Sequence, residues 1–177
     1  MALDRWTVDV DHSSIDFSVR HMMVSKVKGT FQRFSAEIQA DPDDLTTASV
    51  RFEIDVNSVD TRNQDRDKHL VSPDFFDAEN HPKITFQSTR IVKKSDGEYE
   101  VTGDLTIRGV TRPETFLVTY EGQGKDPWGN IKVGFSGRGT INREEYGLKW
   151  NAALETGGVL VGNEVQVSIE LEASKQA

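Results

Sequence analysis

Tyr99-Glu100-Val101-Thr102-Gly103-Asp104-Leu105-Thr106-Ile107 alternates apolar or small residues with polar ones at every step. Successive side chains of an extended strand point to opposite faces, so this stretch has one dry face and one wet face. The same period returns along the chain. Ile15, Phe17 and Val19 alternate with Asp16, Ser18 and Arg20, and Val50, Phe52, Ile54 and Val56 with Arg51, Glu53 and Asp55. Val165, Val167, Ile169 and Leu171 alternate with Gln166, Ser168 and Glu170. Weaker versions run from Ile84 to about Val92, through Phe116, Val118 and Tyr120, and from Val133 to Ile141. Thr30 to Ala40 reads as one more strand, with an irregularity at Gln32-Arg33 expected to be a bulge. The total is about eight strands, with a further short one at Trp6–Val10.

Turn-forming clusters separate these runs: Asp41-Pro42-Asp43-Asp44, Ser95-Asp96-Gly97, Arg108-Gly109-Val110 and Asp126-Pro127-Trp128-Gly129-Asn130. Short connections imply antiparallel neighbours. One segment breaks the alternation. Ser58 to Pro82 is polar and reads as a long crossover, with a short surface helix at Arg62–Leu70 and the pair Phe75-Phe76 tucked inward. His21 to Lys26 is a weaker second helical candidate.

A sheet that is dry on one face must cover that face. With almost no amphipathic helix available, the sheet must cover itself, and closure also removes exposed strand edges. The expectation is an all-β antiparallel barrel, one domain across residues 1–177, with one or two short helices in the crossover. About eight strands enclose an interior that side chains just fill, or that holds one small ligand. The expected ligand wall is Phe17, Val19, Phe31, Phe52, Ile54 and Phe86, continued by Leu105, Phe116, Val133, Phe135 and Gly137. The inward glycines Gly103, Gly137 and Gly139 either leave room for a ligand or relieve curvature and seat a phenylalanine. Arg20, His21, Arg62, His69, Arg143 and Asn151 are candidates for a polar rim, although a solvated or structural role is the first reading of each.

Composition narrows the function. The chain has 177 residues, 21 basic and 29 acidic, for a net charge of −8. That surface repels phosphate backbones, so nucleic acid is not an expected partner. There is no cysteine, which removes disulfides, thiolate catalysis and cysteine-ligated metals. No run approaches the roughly 20 apolar residues of a membrane helix, so stable membrane insertion is not expected. Met1-Ala2-Leu3-Asp4-Arg5-Trp6 has no apolar signal region, and the chain is therefore expected in the cytosol. Asp67, His69, Asp74, Asp77 and His81 share one segment but lack metal-ligand spacing, so no metal is expected. Gly122-Gln123-Gly124 and Gly137-Arg138-Gly139 open no helix and do not cradle a phosphate. No nucleophile motif stands out, so no catalytic residue and no cofactor is expected.

Several motifs, in order along the chain, carry a resemblance. Asp11-His12-Ser13-Ser14-Ile15-Asp16-Phe17-Ser18-Val19-Arg20-His21, then Val27-Lys28-Gly29-Thr30-Phe31, resembles the opening of the YceI-like family. Ser58-Val59-Asp60-Thr61, followed by Arg66-Asp67-Lys68-His69-Leu70 and Asp74-Phe75-Phe76-Asp77, is similar to its middle signature. Gly103 to Thr111, and Arg143 with Tyr146-Gly147-Leu148, resemble its later ones. The resemblance implies a lipocalin-like, extended barrel, often dimeric, that binds a polyisoprenoid or fatty-acid-like amphiphile in an apolar pore. Many members of that family are exported to the periplasm. The expected function is non-catalytic binding, for storage or transport. The alternatives are an enzyme acting on an isoprenoid-like compound, or an assembly module with a filled core.

Overall fold

Alternation with short turns folds several strands back on their predecessors, and in the computed structural model the pairing closes on itself. The structure describes residues 3–152 and 160–176. In chain order the elements are β1 (Asp4–Val8), β2 (Ser14–His21), β3 (Ser25–Phe31), β4 (Phe34–Asp41), β5 (Asp44–Asp55), β6 (Val59–Asp60), α1 (Gln64–Val71), β7 (Lys83–Ser95), β8 (Glu98–Ile107), β9 (Val110–Lys125), β10 (Ile131–Asn142) and β11 (Val161–Lys175). Eight of them, in the order β1-β4-β5-β7-β8-β9-β10-β11, form a ring that β1 and β11 close, and every pairing is antiparallel.

β2, β3 and β6 are not in that ring; they continue outward from β11. The reason is length. Ala173 to Lys175 at the C-terminal end of β11 pair with Val8 to Trp6, and Val161 to Glu170 are left to pair with His21 to Ser14. One edge thus serves two strands, and a one-turn 3-10 helix at Val10–His12 carries the chain between them.

Two local expectations are corrected. Gln32-Arg33 is not a bulge in one strand but the bend between β3 and β4. Phe31 and Phe34 are three apart, so no single strand puts both on one face. The bend is held by main-chain bonds from Gln32 N–H to the Ser58 carbonyl at 3.1 Å and from Asp55 N–H to the Arg33 carbonyl at 2.9 Å. His21 to Lys26 is no helix either; Met22, Met23 and Val24 form the tip of the β2–β3 hairpin. The crossover helix begins at Gln64, where Asn63 accepts the Arg66 N–H at 3.0 Å, rather than at Arg62.

The dry faces meet in two clusters. One, nearer α1, gathers Ile15, Phe31, Phe52, Phe86, Phe116 and Tyr146; the other, at the opposite end, gathers Trp6, Val8, Ile38, Leu45, Val133 and Ala173. Three strand glycines seat phenylalanines. A Cβ on Gly139 would lie 2.6 Å from Phe116 Cδ1, one on Gly103 would lie 2.5 Å from Phe86 Cζ and against the Gln87 carbonyl, and one on Gly29 would meet the Phe17 ring. Phe86 and Phe116 then meet edge to face at 5.5 Å. Gly137 differs, because its Cβ would meet only ordinary contacts at 3.5 Å or more. Gly103→Ala is therefore expected to lower stability by about 1–3 kcal/mol, since a backbone carbonyl cannot swing aside. Gly137→Ala should leave it nearly unchanged, and paired urea titrations of the two variants check the contrast.

Candidate functional site: an apolar pore through the barrel

The strand interiors do not fill the barrel. They enclose a cavity of about 410 Å³ that runs from α1, past Phe31, Phe52, Phe86 and Phe116, to Ile38, Leu45 and Tyr99. The far end is plugged by buried side chains. Trp6 is 3% exposed, its indole N–H donates to the Ala40 carbonyl at 3.2 Å, and Leu45 and Val133 pack beside it. The wall at the α1 end includes the half-buried Phe17, Val19, Leu70, Trp150 and Val161.

The crossover forms this mouth because its polar residues spend themselves on one another. The buried Thr61 is the knot. Its N–H and hydroxyl donate to Asp67 Oδ1 at 2.9 and 2.5 Å, while Arg66 donates to its hydroxyl at 2.8 Å and its carbonyl at 2.6 Å. The helix is thereby fixed against β6, and Leu70 faces the cavity. The helix end is then capped by its own continuation. Phe76 N–H bonds to the Leu70 carbonyl and Ala78 N–H to the Val71 carbonyl, both at 2.9 Å, which turns Phe75 and Phe76 inward. His69, Phe75 and Trp150 stack as a group with ring centres 4.7–5.5 Å apart, and His69 Nε2 sits 2.9 Å from Asp74 Oδ2.

Arg143 reaches the cavity from behind. It is 5% exposed, and its partners among the described residues are main-chain carbonyls. It donates to Gly162 at 2.8 Å, Leu148 at 2.6 Å, Trp150 at 3.0 Å and Val161 at 3.2 Å, and lies 5.9 Å from the Phe75 ring centre. Burial pulls its pKa below the ordinary arginine value. Asn151 completes the clamp by donating to the Val161 carbonyl at 2.7 Å and accepting the Val161 N–H at 3.0 Å. Together they join residues 148–152 to the start of β11. Nearby, the fully buried Tyr146 donates to Glu114 Oε1 at 2.7 Å, and burial, then that bond, drives its pKa well up.

Ten of the eleven expected wall residues line the cavity: Phe17, Val19, Phe31, Phe52, Ile54, Phe86, Leu105, Phe116, Phe135 and Gly137. Val133 lies behind the plug, against Trp6. Of the expected rim, His21, His69 and Arg143 border the cavity, as does Arg20. Arg62 points to solvent on a left-handed backbone (φ +63°), and Asn151 is spent on Val161. Trp150 and Arg66 line the mouth without having been singled out as ligand contacts, because neither sits in an alternating run. Asp67, His69, Asp74 and Asp77 do not assemble into a shared centre; they bind Thr61, each other and Asn80.

A separate trio, Asp9, His12 and Glu172, staples the β1–β2 connection to β11 from outside. His12 Nδ1 is 2.7 Å from Asp9 and 3.3 Å from Glu172. The bond to Asp9 raises the His12 pKa above its ordinary 6.5 and lowers that of Asp9. A raised histidine pKa contributes stability fully below about pH 6.5 and loses it as pH climbs through the raised value. The melting temperature should therefore fall as pH rises above about 6.5, and His12→Gln should flatten that fall. An equal slope in both proteins would show that the trio is inert.

A closed, extended antiparallel barrel with an apolar bore and a helical crossover at its mouth defines a lipocalin-like protein. The chain belongs to the YceI-like family, whose domain model matches residues 6–173. A UPF0312 protein of Staphylococcus epidermidis is 45% identical over 173 residues, covering 97% of this chain and 98% of that one. The crystal structure of Burkholderia cenocepacia BcnA superposes with a TM-score of 0.82 at 29% identity, covering 93% of this chain and 98% of that one. A polyisoprenoid binding domain from Saccharophagus degradans shares the fold, with a TM-score of 0.70 at 16% identity over 97% of this chain and 98% of that one. Among the described residues no helix is long and apolar enough to cross a membrane.

Proposed function

We propose that the barrel binds one long-chain amphiphile, such as a polyisoprenoid, and stores or carries it without changing it chemically. The observation that carries this reading is the continuous apolar cavity of about 410 Å³. Small-ligand sites are commonly about 300–1,000 Å³, with apolar walls and a few placed polar groups. An elongated bore with polar groups at one end suits a chain with a polar head. The name of the Saccharophagus degradans neighbour, a polyisoprenoid binding domain, points the same way.

The distribution of ionisable groups favours binding over catalysis. Of the ionisable groups bordering the cavity, Asp16, Arg20 and His21 stand on β2, and Arg66, His69 and Arg143 are engaged by Thr61, Asp74 and main-chain carbonyls. The plugged end is lined by Ile38, Ala40, Leu45 and Tyr99, which offer no acid–base pair. Native mass spectrometry of protein purified without detergent should show a co-purified lipid-sized adduct that mild organic extraction removes. Protein that carries no adduct and takes up no added polyprenol would count against the reading.

A further inference from the structure

The β2–β3 hairpin ends in three consecutive apolar residues that are exposed among the described residues. Met22 is 47% exposed, Met23 60% and Val24 80%. Met22 and Met23 have φ of +52° and +60°, a left-handed backbone that bulky residues enter at a cost and that glycine or asparagine would adopt more readily. The fold alone gives no reason to put two methionines there.

The flanks are as unusual as the tip. From Phe17 to Ala36 the sequence has no acidic residue, in a chain of net charge −8. Arg20, Lys26 and Lys28 are exposed along this hairpin. Arg20 and Lys26 are direct cross-strand partners. Like charges directly opposite each other destabilise a strand pair, and an anionic surface would relieve them. The hairpin also forms one wall of the pore mouth. Met22 N–H donates to the Leu160 carbonyl at 2.8 Å, and His21, Val27 and Leu160 border the cavity.

We propose that Met22, Met23 and Val24 insert into the surface of an anionic lipid bilayer, with Arg20, Lys26 and Lys28 on the lipid phosphates. This holds the pore mouth against the reservoir in which a long-chain amphiphile dissolves. Flexible apolar side chains ringed by cations suit shallow interfacial insertion. A second copy of the chain suits the tip less well, because a two-fold contact would set Arg20, Lys26 and Lys28 against the same cations. The proposal extends the pore reading and is tested apart from it.

Flotation with phosphatidylcholine vesicles, with and without phosphatidylglycerol, provides the test. The protein should float with the phosphatidylglycerol vesicles and release in high salt, as screened surface attraction requires. Met22→Asn, Met23→Gly and Val24→Ser combined should weaken binding by about tenfold or more. Relief of the left-handed strain should leave the melting temperature equal or higher. Lys26→Glu with Lys28→Glu should remove the preference for phosphatidylglycerol, since each basic residue at an anionic surface contributes about fivefold. Uptake of N-phenyl-1-naphthylamine from buffer should be unchanged in both variants.

Wild-type protein that ignores phosphatidylglycerol vesicles overturns the proposal, as does a tip variant that binds them equally well. A wild-type dimer that the tip variant converts to monomer assigns the turn to a second copy and also overturns it. Loss of vesicle binding with probe uptake intact bears on the docking tip alone. Failed probe uptake with vesicle binding intact overturns the pore reading and leaves the tip standing.

Discussion

Arg143→Met is expected to lower the unfolding free energy by about 3–5 kcal/mol. The guanidinium supplies four hydrogen bonds to main-chain carbonyls on two separate segments, 148–150 and 161–162. Methionine fills similar space but donates to none of them. Each buried acceptor left alone costs about 1–3 kcal/mol, and water reaching the half-buried Trp150 and Val161 carbonyls recovers part of the sum. Arg143→Lys keeps the charge but places its donors on one point, which cannot span the fork. It should recover less than half of the loss. Urea unfolding followed by circular dichroism measures both. An Arg143→Met protein within about 1 kcal/mol of wild type would mean that the clamp is dispensable. Because Trp150 and Leu148 both line the cavity and both hang on Arg143, ligand binding should weaken even in the fraction that stays folded.

Gly137→Leu is expected to reduce polyprenol affinity by about a hundredfold, roughly 2.7 kcal/mol, while changing stability by about 1 kcal/mol or less. The Cβ would sit 3.5 Å from Val118 Cγ2 and 3.8 Å from Ile169 Cβ, which is ordinary contact, and the rest of the side chain has only the cavity to enter. Gly139, two residues along the same face, provides the opposite control. Its Cβ would strike the Phe116 ring, so Gly139→Leu should lose the fold. Titration of a fluorescent prenyl analogue, beside thermal melts, separates the two effects. Unchanged binding by a folded Gly137→Leu protein would place the ligand elsewhere.

The long strands were legible because their alternation is sustained. Phe52 and Ile54, Val101 and Leu105, and Val167 and Ile169 all face inward as the period requires. Closure of the ring was legible only as a necessity. The strand that completes it, β1, reads as a short strand at Trp6–Val10 but spans Asp4–Val8, and β6 has two residues, too few to show a period. The branching of β2 and β3 from β11 was hidden by a parity change at Phe31 and Phe34, which reads locally as an irregularity in one strand. Among the glycines, sequence left two roles open, and the structure divides them: Gly103 and Gly139 seat phenylalanines, whereas Gly137 borders the void. The mouth was the least legible part. Trp150 and Arg66 act through stacking or through bonds to Thr61, and neither leaves a spacing to read. Val133 keeps the right parity but lies one layer beyond the end of the pore, a distance along the axis that alternation does not encode.

A crystal structure of the protein grown with a long-chain polyprenol tests the central claim most directly. Continuous electron density should run along the barrel axis, from Trp150 and Leu70 at the mouth, between Phe86 and Phe135, to Tyr99 and Leu45 at the plugged end. A bore closed by its own side chains, with the polyprenol bound to the outer surface or not at all, would contradict it.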